Sequence, residues 1–515
     1  MDILTVKAAA DLLEVDQKTV YRLIERDGLP AFRVGRQWRL RLSDVEGWIE
    51  GQLHAREAPA SYGVKQSPLF SAPAPEEAEK QASFSDSVFT ENSDLPVHRW
   101  VPWIAGYSAR FVEDVIRRYI PQDREPSEFC VMDPFAGVGT TLVTAWLRGH
   151  SVAGFEINPY AAKACELKLS LDRLPADELG RLIADFRETV SARMARGDDP
   201  QSTPPPGFVT RQRFFSPQVE RKVLLVWDYV RGVAELDLRR CFEIALAAEL
   251  VGFSNYSYEP SLGTRAGAGK REVLDAPVVP LVVRKLSQML EDVRRAQQAM
   301  RPGQRWGERR FFPGDLFENE RNLSSGSVDL VITSPPYVNN YHYLRNTRPQ
   351  IYWLGLSQVA GDLKQVEQGS FGKFWQTVRT GDPVELQPAL PELKRLIEAL
   401  RGRNVEKGPY GGPGWANYAA TYFNDSMRLA AVLARVLRPD GTAVVVLGNS
   451  ILQGVEFKTD VLFGQICDLS GLRVAGIERL RNKRTGSSII QSSVRTDAAA
   501  EKTVLYESAV ILKRR

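Results

Sequence analysis

Two stretches of this chain combine residue types that could do chemistry. The first is "VMDPFAGVGTTLV", in which an apolar run, Cys130 to Met132, breaks into Asp133-Pro134-Phe135-Ala136-Gly137-Val138-Gly139 before a helix opens at Thr140-Thr141. Glycines at such a turn let the backbone pass close under a ligand, and the helix N-terminus offers unpaired N–H groups. Nineteen residues past Gly137 the next strand-like run, "SVAGFE", ends in Glu156. That is the spacing at which an acid meets the ribose hydroxyls of a bound nucleotide in a βαβ unit. The loop is not GxGxxG, which disfavours a dinucleotide. The second stretch is "VITSPPYVNNYHY", where Ser334-Pro335-Pro336-Tyr337 follows a buried strand. It holds a hydroxyl, a stiffened turn and an aromatic ring in sequence.

Together these motifs resemble the amino-group DNA methyltransferases. The DPFxGxGTT loop is similar to their S-adenosylmethionine loop, and "TSPPY" to their (D/N/S)PP(Y/F) signature. The resemblance spans about residues 96–515. It implies that Asp133, Phe135, Gly137, Gly139 and Thr140 lie at the cofactor, that Glu156 binds its ribose, and that Asn158 flanks it. Asp315, in "FFPGDLF", matches the acid that faces the adenine, and Thr333, just before the catalytic turn, is a further expected cofactor contact. In "VHRWVPWIAGYSARFVEDVI" the family's segment over the methionine end implies contacts from Ala105 to Ser108, including Gly106 and Tyr107, with Phe111 packing behind.

The chemistry the signature serves is methylation of an exocyclic amino group, whose lone pair is delocalised into its ring. Two fixed acceptors, the Ser334 hydroxyl and the Pro335 carbonyl, would draw the nitrogen toward tetrahedral. Pro336 would freeze the turn, and Tyr337 would stack on an extruded base. No Pro-Cys pair for attack on a ring carbon and no deaminase zinc motif occurs. Serine in the first position leans toward cytosine N4, with adenine N6 as the alternative. An RNA N-methyltransferase and a non-catalytic regulator on a methyltransferase scaffold stand as further alternatives.

These motifs need a scaffold. Strand-like runs at "FCVMDPF", "SVAGFE", "VDLVITS", "GTAVVVLGN", "LRVAGIERL" and "VLYESAVILKR" alternate with helical ones, which predicts an α/β fold with an open, mostly parallel, Rossmann-like sheet. The last strand would suit an antiparallel edge. Residues from about 165 to 308 and from about 357 to 415 are too long for connections and read as functional insertions.

Residues 1–52 form a separate unit, and 53–95, rich in Pro, Ala, Ser and Glu, read as a flexible linker. The unit reads as a helix from Val6 with Ala8, Ala9, Leu12 and Leu13 on one face, then a second helix, "QKTVYRLIERDG". Two short strands joined at Gly35-Arg36 follow. It resembles the excisionase-type, MerR-like winged helix-turn-helix domains. That resemblance aims Lys18, Thr19 and Arg22 at the major groove, and Arg36 and Arg39 at phosphate or the minor groove. Net charge is only +4, so any nucleic-acid surface is local. Further basic candidates are "FSNYSYEPSLGTRAGAGKRE", with Arg265, Lys270 and Arg271, then "LRNKRTGSS" from Leu480. Asn339, Tyr341 and Arg345 follow the catalytic turn and could shape the base pocket or touch phosphates.

Composition bounds the rest. Apolar residues make up 43% and charged ones 25%, and no run approaches the ~18 apolar residues of a membrane span. Four scattered cysteines and four histidines show no metal-ligand spacing, so no metal is expected. The expected setting is a reducing cytoplasm, at the nucleoid. Duplex DNA is the expected partner, and a cognate restriction endonuclease or other phage-defence proteins would complete the system.

Overall fold

The computed structural model describes residues 3–12, 17, 20, 21, 24, 29–34, 37–41, 84, 89–103, 106–258, 262–300, 305–338, 343–359, 361–482 and 505–515. It divides into two units, Met1–Gln66 and Ser67–Arg515.

The larger unit is built on seven strands: β1 (Cys130–Asp133), β2 (Ser151–Glu156), β3 (Arg309–Pro313), β4 (Val328–Thr333), β5 (Leu437–Gly448), β6 (Leu472–Asn482) and β7 (Tyr506–Arg514). Their order across the sheet is β6-β7-β5-β4-β1-β2-β3. The five from β5 to β3 pair in parallel, while β7 runs antiparallel to both of its neighbours. The final strand is therefore not the expected edge. It is inserted between β5 and β6, where its run Ala509–Leu512 is buried on both faces, and β6 is the edge.

Alternation along the strands explains the two cores. Val131, Leu330, Ile332, Val444 and Val446 point to one face, and Cys130, Met132, Val331, Ala443 and Val445 to the other. The first face packs helices α1 (Ala109–Tyr119) and α2 (Thr140–Leu147). It also packs the insertion helices α3 (Ala176–Arg196), α4 (Pro217–Gly232), α5 (Leu236–Glu249) and α6 (Val278–Ala299). The second packs α7 (Gly412–Val436) and α8 (Thr459–Leu469). Asp292 of α6 is fully buried and accepts from Val97 N at 2.8 Å, Trp100 Nε1 at 2.9 Å and Arg99 at 2.6 Å. The insertion thereby anchors the segment that leads to Trp103 and Gly106.

The chain steps from β1 to β2 and β3 on one side, then returns to lay β4 and β5 on the other. A doubly wound sheet opens its binding crevice where that reversal occurs, beyond the C-terminal ends of the two central strands. Those strands are β1 and β4. The loops that leave them are Asp133–Gly139 and Ser334–Tyr337.

In the smaller unit, Ile3–Thr5, Gln37–Arg41 and Phe32–Val34 form an antiparallel sheet in that order, the latter two pairing Val34 with Gln37. A helix, Val6–Leu12, is capped by the Thr5 hydroxyl. Val6, Ala9 and Ala10 are buried in it, where the expected face had Ala8, which is half-exposed. Gln17, Val20, Tyr21 and Ile24 are helical. Val6, Ala9, Ala10, Val20, Leu29 and Leu40 make a core of their own.

Candidate active site

A cavity of about 410 Å³ opens over the ends of β1 and β4. Its floor is the loop after β1. Glu156, at the end of β2, accepts from Gly137 N and from Asn158 N, both at 2.7 Å. Burial pushes its carboxyl up to about 7, and the two N–H donors pull against that shift. Gly137 has φ +54, and a Cβ there would stand 3.6 Å from Trp103 Nε1 across the cavity. Gly139 has φ +87, and its Cβ would meet Cys165 Sγ at 2.8 Å. It lets the loop sit down on the helix behind rather than lining the cavity. Lys168, buried, donates to Val138 O at 3.0 Å from beneath, and burial lowers its ammonium to about 7.

Asp133 joins the two loops. Its Oδ1 accepts from Thr333 Oγ1 at 2.6 Å and from Phe135 N at 3.0 Å, and its Oδ2 accepts from the Tyr107 hydroxyl at 3.0 Å. Burial raises its carboxyl above the usual range, opposed chiefly by the Thr333 hydrogen bond. The Tyr107 hydroxyl oxygen also lies 2.6 Å from Thr141 Oγ1 and 3.0 Å from Ile332 O. These side chains fix the spacing of β1 and β4. Thr333 is fully buried and does not line the cavity. Ser108 is likewise buried, its Oγ capping α1 through Phe111 N. Gly106, Tyr107, Asp133, Phe135, Gly137, Thr140, Glu156, Asn158 and Asp315 do line it. Asn158 caps the helix Pro159–Lys168 with its Oδ1 and donates through Nδ2 to Thr347 at 2.8 Å. Ala105 lies outside the described residues.

The second wall is the turn after β4. Ser334 Oγ and the Tyr337 hydroxyl are 3.4 Å apart, and Tyr337 donates to Glu507 Oε1 at 3.0 Å. Glu507, at the start of β7, accepts from Arg481 Nε at 2.6 Å through its other oxygen. Burial, then the Glu507 charge, push the Tyr337 phenol well above its ordinary value. Ser334, Pro336, Tyr337, Arg481 and Glu507 line the cavity, while Pro335 is buried. Arg481 had been grouped with a basic surface stretch; here it turns inward. Most of that stretch lies outside the described residues. Glu507 carried one signal, an acid opening an apolar run, but nothing local pairs it with Tyr337.

The far end is aromatic. Phe371, from the second insertion, packs 5.1 Å from Phe135, 5.3 Å from Tyr422 and 6.4 Å from Phe317. Asp315 is beside it, capping a short helix through Phe317 N at 2.9 Å, with its carboxyl raised by burial. Neither Phe317 nor Phe371 was legible as a site residue, because a single aromatic residue has no local signature.

Of the expected DNA contacts, Lys18, Thr19, Arg22, Arg36, Asn339 and Tyr341 lie outside the described residues. Arg39 is half-buried and donates to Trp38 O. Arg265 spends its guanidinium on Ser254 O at 2.8 Å and Gly252 O at 2.9 Å, which makes it a brace of its own loop. Lys270 and Arg345 are exposed. The loop around Tyr258 and Leu262 docks on Asn346, in the helix that follows the catalytic turn. Among the described residues no cluster of His, Cys, Asp and Glu could hold a metal, and no helix is long and apolar enough to cross a membrane.

Comparison with known proteins gives the following. The helix-turn-helix domain family matches residues 3–53. The chain is 22% identical over 438 residues to the type II methyltransferase M.BsoBI of Geobacillus stearothermophilus, covering 78% of this chain and 83% of that one. It is 20% identical over 425 residues to the type II methyltransferase M.AvaI of Nostoc sp., covering 78% and 84%. Among solved structures, an rRNA methyltransferase of Streptomyces viridochromogenes aligns over 80% of this chain and 87% of that one, at 11% identity and a TM-score of 0.29. Methyltransferase homologues imply S-adenosylmethionine as the methyl donor. The cavity fits it: an acid held at ribose spacing, a floor turned by Gly137 at φ +54, and an aromatic end with a half-buried carboxylate.

Proposed function

Given this homology to type II methyltransferases, we propose that the protein methylates the exocyclic N4 amino group of a cytosine extruded from duplex DNA. The observation that carries the reading is the meeting of two loops. Ser334 and Tyr337 share one cavity with Gly137 and Glu156, and Asp133 ties the strands beneath them.

S-adenosylmethionine supplies an electrophilic methyl group on a sulfonium. The residues of this chain do the rest. Glu156 and the loop hold the ribose, and Asp315 with Phe371 and Phe317 hold the adenine. The Pro335 carbonyl and the Ser334 oxygen accept from the amino N–H groups. A serine hydroxyl that directs its own proton to Tyr337 presents its lone pairs outward, which is what an acceptor needs. As the new N–C bond forms and the C–S pair returns to sulfur, the nitrogen becomes cationic and must lose a proton. Ser334 takes it while passing its own to Tyr337, and Tyr337 passes its own to Glu507. The 3.4 Å gap at the serine is of the kind that tightens when substrate binds. Serine, rather than a carboxylate, in the first acceptor position favours cytosine. The helix-turn-helix domain favours duplex DNA, in a restriction-modification setting.

The test is methyl transfer from labelled cofactor to duplex DNA, RNA and free nucleotides, followed by modification-sensitive sequencing of the DNA. N4-methylcytosine at a defined site is expected. N6-methyladenine would overturn the base assignment, and transfer to RNA alone would overturn the substrate.

A further inference from the structure

The second insertion carries a feature that the reaction does not use. Arg379 lies in the corner formed by two rings that meet edge-on at 5.8 Å, its guanidinium carbon 4.6 Å from the centroid of Trp375 and 4.3 Å from that of Tyr410. Trp375 stacks on Trp415 at 5.0 Å and 22°, and Trp415 meets Tyr418 edge-on at 5.8 Å. Tyr418 lines the cavity, as does Phe374, which precedes Trp375. The ladder thus runs from the cavity wall outward to Tyr410, which is 58% exposed.

Two observations mark Arg379 as a binding group. Its Nε is buried with no hydrogen-bond partner, and among the described residues no carboxylate pairs with its guanidinium. The loop that positions Tyr410 is also built tightly. A Cβ at Gly411, Gly412 or Gly414 would fall 2.0 Å from the carbonyl oxygens of Asn404, Leu400 and Pro409 respectively. With two rings against it and Nε buried, the guanidinium can take a partner only through its terminal nitrogens, a pair matched to the oxygens of a phosphate. Rings interleaved with cations are the usual surface for a nucleic-acid strand. Exposed Arg403 and Lys407 on the same loop add to the positive potential.

We propose that Arg379, held in the corner of Trp375 and Tyr410, binds a backbone phosphate of the DNA beside the extruded base. This rests on the DNA methyltransferase reading above. A phosphate contact positions the duplex without reading its sequence, so its loss weakens binding to all duplexes alike.

The experiment measures duplex binding by the full-length protein across a salt series, with turnover and cofactor binding alongside. Arg379→Gln keeps a planar side chain against the rings and removes the charge; Arg379→Lys keeps the charge and removes the fork. For Arg379→Gln the expected result is about tenfold weaker DNA binding and a salt slope reduced by about one. The factor should match on methylatable and unrelated duplexes, with cofactor affinity unchanged and Arg379→Lys intermediate. Unchanged affinity and slope in Arg379→Gln would overturn the proposal and leave the enzyme reading standing. Loss of cofactor binding would overturn it too, assigning Arg379 to the fold. A wild-type protein that binds and methylates no DNA would instead remove the reading beneath both.

Discussion

At the scale of single residues, Glu156 does two jobs that pull against each other. The proposed hold on the ribose calls for a carboxylate, whereas burial raises its carboxyl to about 7. The sign follows from linkage. An acid whose folded value is raised holds its proton in the folded state, so the unliganded fold loses stability as pH rises from the ordinary carboxylate value toward about 7. In the proposed role ribose hydroxyls donate to the carboxylate, so cofactor binding would favour the ionised form and release a proton. Affinity for S-adenosylmethionine is therefore expected to tighten between pH 6 and pH 8, as titration calorimetry in buffers of different ionisation enthalpy would read. Glu156→Gln should flatten that dependence. It should also bind about tenfold or more weakly, since hydrogen bonds to a charged group contribute ~1.5–3 kcal/mol. A wild-type affinity that is flat over this range would count against the ribose assignment.

At the scale of elements, the β6–β7 pair has a function that strand reading alone would not give it. Its residues Arg481 and Glu507 sit in register opposite each other and reach the turn after β4 through Tyr337. If Glu507 takes the proton, Tyr337→Phe and Glu507→Gln should each lower turnover by ~10- to 100-fold, within the usual scale of general-base contributions. Cofactor affinity should stay unchanged, and the solvent isotope effect on turnover should fall. A purely structural hairpin would instead shift cofactor and DNA binding together and leave the isotope effect alone. The central strands were readable because β1, β2, β4 and β5 are nearly continuous apolar runs bounded by turn residues. The place of β7 was not, because its partners are fixed by pairing with β5 and β6 and not by its own pattern. β3 was hidden for a related reason: Arg309-Arg310 pair with Asp172 and Cys130 of neighbouring segments, so the strand carries charge where an apolar run was sought. The two motifs of the site were legible because their chemistry is local. Phe371, Glu507 and Asp292 were not, because each acts on a segment far away in sequence.

At the scale of the whole molecule, the chain divides its labour between two units with separate cores. The smaller encloses Val6, Ala9, Ala10, Val20, Leu29 and Leu40, and none of these joins the clusters on either face of the large sheet. The larger holds the cavity and the residues proposed to act on cofactor and amino group. Chemistry and much of the affinity for DNA should then be separable. The net charge of +4 is too small for general attraction to DNA, so local cations must supply it. Arg33, Arg36, Arg39 and Arg41 form such a group, with no acid between Asp27 and Asp44. A chain beginning at Ser67 is therefore expected to fold, to bind S-adenosylmethionine as the full chain does, and to turn over within about twofold at saturating DNA. Its KM for DNA should rise at least ~10-fold near 0.15 M salt, with a shallower salt dependence, because phosphate contacts are lost. Equal KM and equal salt slope would place all DNA recognition in the large unit, and the insertion carrying Arg379 would then bear it alone.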